Sequence, residues 1–176
     1  MNKKTKKIYI VLTHTGTILS MIIRSLTGAE YSHVSISLDK KLNKMYSFGR
    51  LNPYNPFIGG FVHEGIHIGT FNRFKKTKAE IYEVEVTNIQ YYKIKQKIKS
   101  IKNNRNNYRF NILGMALAGV NFKYKRDKSF YCAEFVKSLT DEAEIDLNLP
   151  DIIRPIHFKT KTQLKSFYKG VLKNYN

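Results

Sequence analysis

The segment from Tyr31 to Leu38 constrains the fold most tightly, because Val34, Ile36 and Leu38 alternate with His33, Ser35 and Ser37. A period of two belongs to a strand with two chemically distinct faces. Ala79 to Val86 repeats the pattern, with Ile81, Glu83 and Glu85 set against Tyr82, Val84 and Val86. Ile8 to Leu12 is a short apolar run that reads as a first strand. Helical periodicity appears elsewhere. Thr17 to Leu26 carries Ile18, Met21, Ile22 and Ser25 at helical spacing, with Gly28 as its C-cap, and Ile89 to Ile101 interleaves apolar residues with lysines. Ser129 to Ile145 is the clearest helix, and Gln163 to Leu172 is expected to form a terminal helical segment. Strands and helices together predict an α+β chain.

The remaining stretches connect these elements. Asp39 to Asn43 is a turn, and Lys44 to Phe48 returns as the second strand of a hairpin. Gly49 to Gly60 holds two of the four prolines and reads as an ordered loop beside a cleft, followed by a strand somewhere in Phe61 to Ile68. Ile112 to Val120 is apolar and glycine-containing; a buried helix is the default reading and a lipid-facing surface the alternative. The 176 residues fit a single domain, 1–176, with residues 1–7 as a flexible basic tail. That start mimics a signal peptide, but the apolar run breaks at Thr13-His14-Thr15-Gly16 and no small-residue cleavage pattern follows, so a strand behind a basic tail is expected.

Lys and Arg number 31 against 13 Asp and Glu, a formal charge of +18. Such a balance favours anionic partners, whether nucleic acid, anionic lipid or an acidic polymer. A codon-biased genome rich in Lys, Asn, Ile and Tyr would give the same balance without a partner, and the predominance of Lys over Arg weakens a phosphate-specific reading.

The single cysteine, Cys132, excludes an internal disulfide and suits a reducing, cytoplasmic setting. Ser129 is the expected N-cap of the helix that carries it, which puts Cys132 in the first turn, where unpaired amides and the helix dipole favour a thiolate. Val136, Leu139 and Ala143 continue the same stripe, so the thiol faces the packed side of the helix. A buried structural thiol is the competing reading. His33 favours catalysis: it shares a strand face with Ser35 and Ser37, and those small residues would admit the Cys132 helix close to the imidazole. A Cys–His pair supplies both a thiolate and a proton donor. His63 and His67 are four apart, but no Cys or carboxylate cluster joins them, so a zinc site has little support.

Glu30-Tyr31-Ser32-His33-Val34-Ser35-Ile36, followed far downstream by Phe130-Tyr131-Cys132-Ala133-Glu134-Phe135-Val136, resembles the circularly permuted, YiiX-like branch of the NlpC superfamily of papain-fold enzymes. In that branch a Ser-His-Val element on an early strand precedes a Tyr-Cys-Ser-Glu-[Leu/Phe]-Val element at a late helix start, the reverse of the unpermuted order. Thr15 to Gly28 also looks like the helix that precedes the histidine strand there, so the resemblance spans about residues 8 to 145. It implies a papain-like fold, a small antiparallel sheet with the nucleophile helix packed against it. His33 and Cys132 match residue for residue, and Ala133 replaces the usual Ser. Relatives place a third polar residue, often a carboxylate, on the strand after the histidine strand. Here that strand reads Met45-Tyr46-Ser47-Phe48, which makes Ser47 the expected third residue and Glu64 the alternative.

The chemistry implied is attack by the Cys132 thiolate on an amide, ester or thioester carbonyl. The Cys132 backbone amide helps to hold the oxyanion, and His33 moves protons. No metal or organic cofactor is required. The substrate is a small-molecule, peptide or lipid acyl compound, handled by a cytoplasmic protein that is peripheral to an anionic membrane surface if the charge marks one. The rival reading is a non-catalytic basic module that binds nucleic acid or an anionic membrane surface. Tyr91, Tyr92, Tyr108 and Phe110 favour it, but no nucleic-acid motif is recognisable and the bases are spread along the chain, so nucleic acid is the less favoured partner.

Overall fold

A computed structural model describes residues 5–16, 29–52 and 55–175, with backbone alone for residues 55–57. The helix expected over Thr17 to Leu26 lies outside the described residues. The chain is α+β. Its centre is a six-stranded antiparallel sheet in the order β4-β3-β2-β1-β5-β8. The strands are β1 (Thr5–His14), β2 (His33–Ser37), β3 (Met45–Asn52), β4 (Asn55–Glu64), β5 (Lys78–Thr87) and β8 (Ser166–Val171). A two-stranded parallel ladder joins β6 (Arg109–Phe110) to β7 (Ser129–Phe130). The helices are α1 (Gly69–Arg73), α2 (Asn88–Asn103), α3 (Ile112–Gly119), α4 (Cys132–Glu142) and α5 (His157–Thr160).

The alternation seen in the sequence divides the core in two. Ile8, Ile10, Leu12, Val34, Ile36, Val84 and Val86 point to one face, where Ile94, Ile98 and Ile101 of α2 and Phe135, Val136 and Leu139 of α4 cover them. Tyr9, Val11, Met45, Ala79 and Ile81 point to the other, under Phe71 of α1 and the C-terminal Leu172 and Tyr175. Both faces are covered, so even the polar side of β2 is buried at Ser35 and Ser37. α2 starts at a capping box: the Gln90 amide donates to Thr87 Oγ1 at 3.2 Å, and the Thr87 amide to Gln90 Oε1 at 2.9 Å.

Four expectations need correction. Thr5, Lys6 and Lys7 do not belong to a tail; they open β1 opposite Thr87, Val86 and Glu85. Within the expected loop Gly49 to Gly60, residues 49–52 and 55–60 are strand, paired Gly49 to Gly60 and Arg50 to Gly59 in the β3–β4 ladder; residues 53–54 lie outside the described residues. Gln163 to Leu172 is not an α-helix; Ser166–Val171 adds an edge strand antiparallel to β5, where its backbone finds ladder partners from Lys78 to Tyr82. Ser129 does not cap the cysteine helix. It pairs with Arg109 in the β6–β7 ladder, and Tyr131 takes the N-cap position.

Candidate active site

His33 is the first residue of β2, and Cys132 is the first residue of α4. Cys132 lies close enough to the His33 ring to favour its protonated form. The approach differs from the one the sequence suggests. Ser35 is paired with Val11 and so lies on the face that faces α1, whereas α4 packs over Val34 and Ile36. The small residues beside His33 therefore do not admit the helix; His33 and Cys132 each stand at the first position of their element.

Glu64 is the side chain that holds the imidazole. His33 Nε2 is 3.0 Å from Glu64 Oε1 and 3.3 Å from Oε2, and the two side chains are 20% and 12% exposed. With Nε2 given to Glu64, Nδ1 is the ring nitrogen left for the sulfur. Ser47, the expected third residue, is turned away: its hydroxyl donates to the Val34 carbonyl at 2.7 Å and is fully buried. It pins β3 to β2 instead of orienting the ring. Glu64 sits on β4, two strands from His33, and reaches across β3 because residue 49 is glycine. A Cβ built there would lie 3.3 Å from His33 Cε1 and 3.9 Å from Glu64 Oε1.

Ser35 is a site residue that the sequence does not announce. Its hydroxyl donates to Glu64 Oε2 and lies 3.3 Å from His33 Nε2. Its place two residues after His33 on the same strand face is the only signal that could have found it. Phe71 closes the other side of the ring, with centroids 6.4 Å apart.

Burial works against a charge on His33, but the Glu64 carboxylate and then Cys132 outweigh it and push its pKa up to about 10. The favoured form near neutrality is an imidazolium between two groups that can carry negative charge. Arg50 follows Gly49 on β3, with its guanidinium 5.6 Å from the Phe74 ring centroid. Burial holds its pKa below the ordinary guanidinium value against the pull of Glu64, and Arg73 lowers it further.

The start of α4 is fastened from outside the dyad. The Tyr131 amide donates to Glu134 Oε2 at 3.4 Å, and Asn111 Nδ2 donates to the same oxygen at 3.3 Å. Asn111 also caps α3, accepting from the Gly114 amide at 2.9 Å. The Tyr131 hydroxyl donates to the Ile153 carbonyl at 2.7 Å. Cys132, at 3% exposure, is thus held on a fixed helix terminus whose first amides have no partner within the helix. His63, apart from this site, lies with Nε2 2.8 Å from the Asn43 carbonyl oxygen, and among the described residues no group of three or more ligating side chains could hold a metal ion.

One strand beyond Gly49, Gly60 lines an open cleft of about 670 Å³ between the β3–β4 hairpin and the β6–α3 segment. Leu51, Ile58, Phe110 and Ile112 give it apolar walls, and Arg105 and Arg109 add charge. No family model, curated protein or solved structure matches the chain.

Proposed function

We propose that the chain is a cysteine hydrolase or acyltransferase of the circularly permuted papain-like, YiiX-like type, with Cys132 as nucleophile, His33 as general acid and base, and Glu64 as the group that orients the ring. The observation that carries this reading is the grouping of Cys132, His33 and Glu64, in which a part-buried imidazole bonded to a carboxylate also responds to the chain's single thiol. A structural thiol has no need of a charged imidazole, and a charged imidazole in a covered site costs free energy unless it is used or paired.

In the reaction the Cys132 sulfur attacks an acyl carbonyl carbon. The carbonyl oxygen becomes an oxyanion and is met by the Cys132 backbone N–H at the start of α4. The imidazolium gives its proton to the departing amine, alcohol or thiol, leaving a thioester on Cys132. Neutral His33 then takes a proton from water or from an acceptor, which attacks the thioester. The acyl group leaves and the starting proton inventory is restored. Glu64 keeps Nε2–H engaged throughout, so that Nδ1 faces the sulfur, and it stabilises the imidazolium as the carboxylate of a triad does. Ser35 positions Glu64.

A panel of electrophilic amide, ester and lipid acyl probes, read by intact mass, tests the proposal. The expected result is a single adduct on Cys132 with at least one probe class. Cys132→Ala should abolish it and His33→Ala should slow it strongly. No adduct with any class, or labelling indifferent to His33, would leave Cys132 as a structural thiol and favour a basic binding module.

A further inference from the structure

α3 reads Ile-Leu-Gly-Met-Ala-Leu-Ala-Gly, with no polar side chain. A helix that is apolar all round belongs in a core. Here only Gly114 and Ala118 are buried, while Ile112 is 48%, Leu113 53% and Val120 71% exposed. Phe122, just past the helix, is 60% exposed. Ile112 and Leu113 expose the first turn of the helix, Val120 and Phe122 lie at and just past its end, and Ile112 also lines the apolar mouth of the cleft. The helix is anchored despite its exposure, because Asn111 caps it and ties it to Glu134. Its apolar face is therefore presented on a fixed support.

The sequence that flanks it is predominantly basic. From residue 102 to 128 the chain carries Lys102, Arg105, Arg109, Lys123, Lys125, Arg126 and Lys128 against Asp127 alone. Lys123 also meets Asp151 at 2.8 Å, an exposed pair. A nucleic acid would satisfy the cations but give the apolar stripe no partner. An anionic bilayer satisfies both, with headgroups for the cations and the acyl boundary for Ile112, Leu113, Val120 and Phe122. Among the described residues no helix is long and apolar enough to cross a membrane, so this contact lies in the interface plane.

We propose that α3 and its basic flanks dock the protein on an anionic lipid bilayer. The inference goes beyond the acyl chemistry and does not depend on it. It would place the mouth of the cleft at the lipid surface.

The chain has no tryptophan, so a single introduced indole reports its own surroundings. Leu113→Trp and, as a control on exposed Ile89 at the start of α2, Ile89→Trp are mixed with vesicles of phosphatidylcholine alone or with phosphatidylserine added. The expected result is a shift of Leu113→Trp emission to shorter wavelength on the anionic vesicles only, with Ile89→Trp unmoved. Leu113→Glu should weaken vesicle partitioning about tenfold or more. An unmoved Leu113→Trp spectrum would overturn the proposal. So would an equal shift of Ile89→Trp, which is the signature of adsorption by net charge without orientation. The alkylation rate of Cys132 in the same variants, expected to match that of the wild type, reports an intact fold and site independently of lipid, so failure of docking and failure of the catalytic reading are separable.

Discussion

A Cβ at position 49 would press on the imidazole, so the contact between His33 and Glu64 depends on a residue with no side chain. With Gly49 in the intervening strand, the ring and the carboxylate meet over β3, and Ser35 fixes the second carboxylate oxygen. Electrostatics at His33 follow from this contact, and they give a signed prediction. Burial alone lowers the His33 pKa; Glu64 is the larger of the two opposing influences and Cys132 the next. Glu64→Gln should therefore bring the titration of His33 well down from about 10, and Cys132→Ala should bring it down by less. Both are read from the His33 Cε1 proton by NMR, assigned through its loss in His33→Asn. The linkage has a definite direction. A histidine raised from 6.5 to about 10 contributes stability that is fully present below pH 6.5 and is lost as the pH rises through 10. Thermal unfolding of the wild type should show that decline across this window, and Glu64→Gln should flatten it. Unchanged titration in both variants would mean that His33 is not held between these groups.

At the scale of elements, period and apolar pattern made β1, β2, β5 and α2 legible, along with the stripe of α4, because each depends on its own side chains meeting one core. The β3–β4 hairpin was not legible. Gly49, Gly59 and Gly60 read as loop residues, yet two of them lie in strands for the sake of partners distant in sequence: His33 lies against Gly49, and Phe110 lies where a Cβ on Gly59 would be 2.8 Å from its ring. Tertiary contact overrides strand propensity there. Glu64 was legible only as the second choice for the partner of His33, since its reach depends on that same hairpin; Ser47 looked better placed because β3 adjoins β2. The capping of α4 shows a related limit. Ser129 has the right chemistry for an N-cap, but the β6–β7 ladder claims it, and Glu134 supports the helix start instead. Burial raises the Glu134 pKa, against its hydrogen bonds from the Tyr131 amide and Asn111. Folded Glu134 thus holds its proton to higher pH than the unfolded chain does, and stability falls as pH rises from 4.5 through the raised value. Glu134→Gln retains an acceptor for Tyr131 and carries no charge. Its stability relative to wild type should therefore increase from pH 4 to pH 7, measured by denaturant unfolding at each pH. A difference independent of pH would show that the carboxylate is not ionising in this setting.

Across the whole molecule, 31 cationic side chains against 13 anionic ones set a net positive field that attracts anions. That field and the His33 contact would both speed alkylation, and salt separates them. Screening length falls from about 10 Å at 0.1 M salt to about 3 Å at 1 M, so the contribution of distant lysines fades while a contact inside a covered site persists. Cys132 is 3% exposed, so its absolute rate with iodoacetamide also contains a term for access. The ratio of wild type to His33→Ala cancels access, provided circular dichroism shows both folded. The helix terminus, worth only about two- to fivefold, is present in both proteins and cancels as well. At pH 6 the ratio should therefore stand well above one at low salt and keep most of its value at 1 M. A ratio near one at every salt concentration would show that the imidazole does nothing for the sulfur. A ratio that is large at low salt and collapses at high salt would mean that His33 acts as one screened charge at a distance and not by contact, and the case for a catalytic dyad would fail.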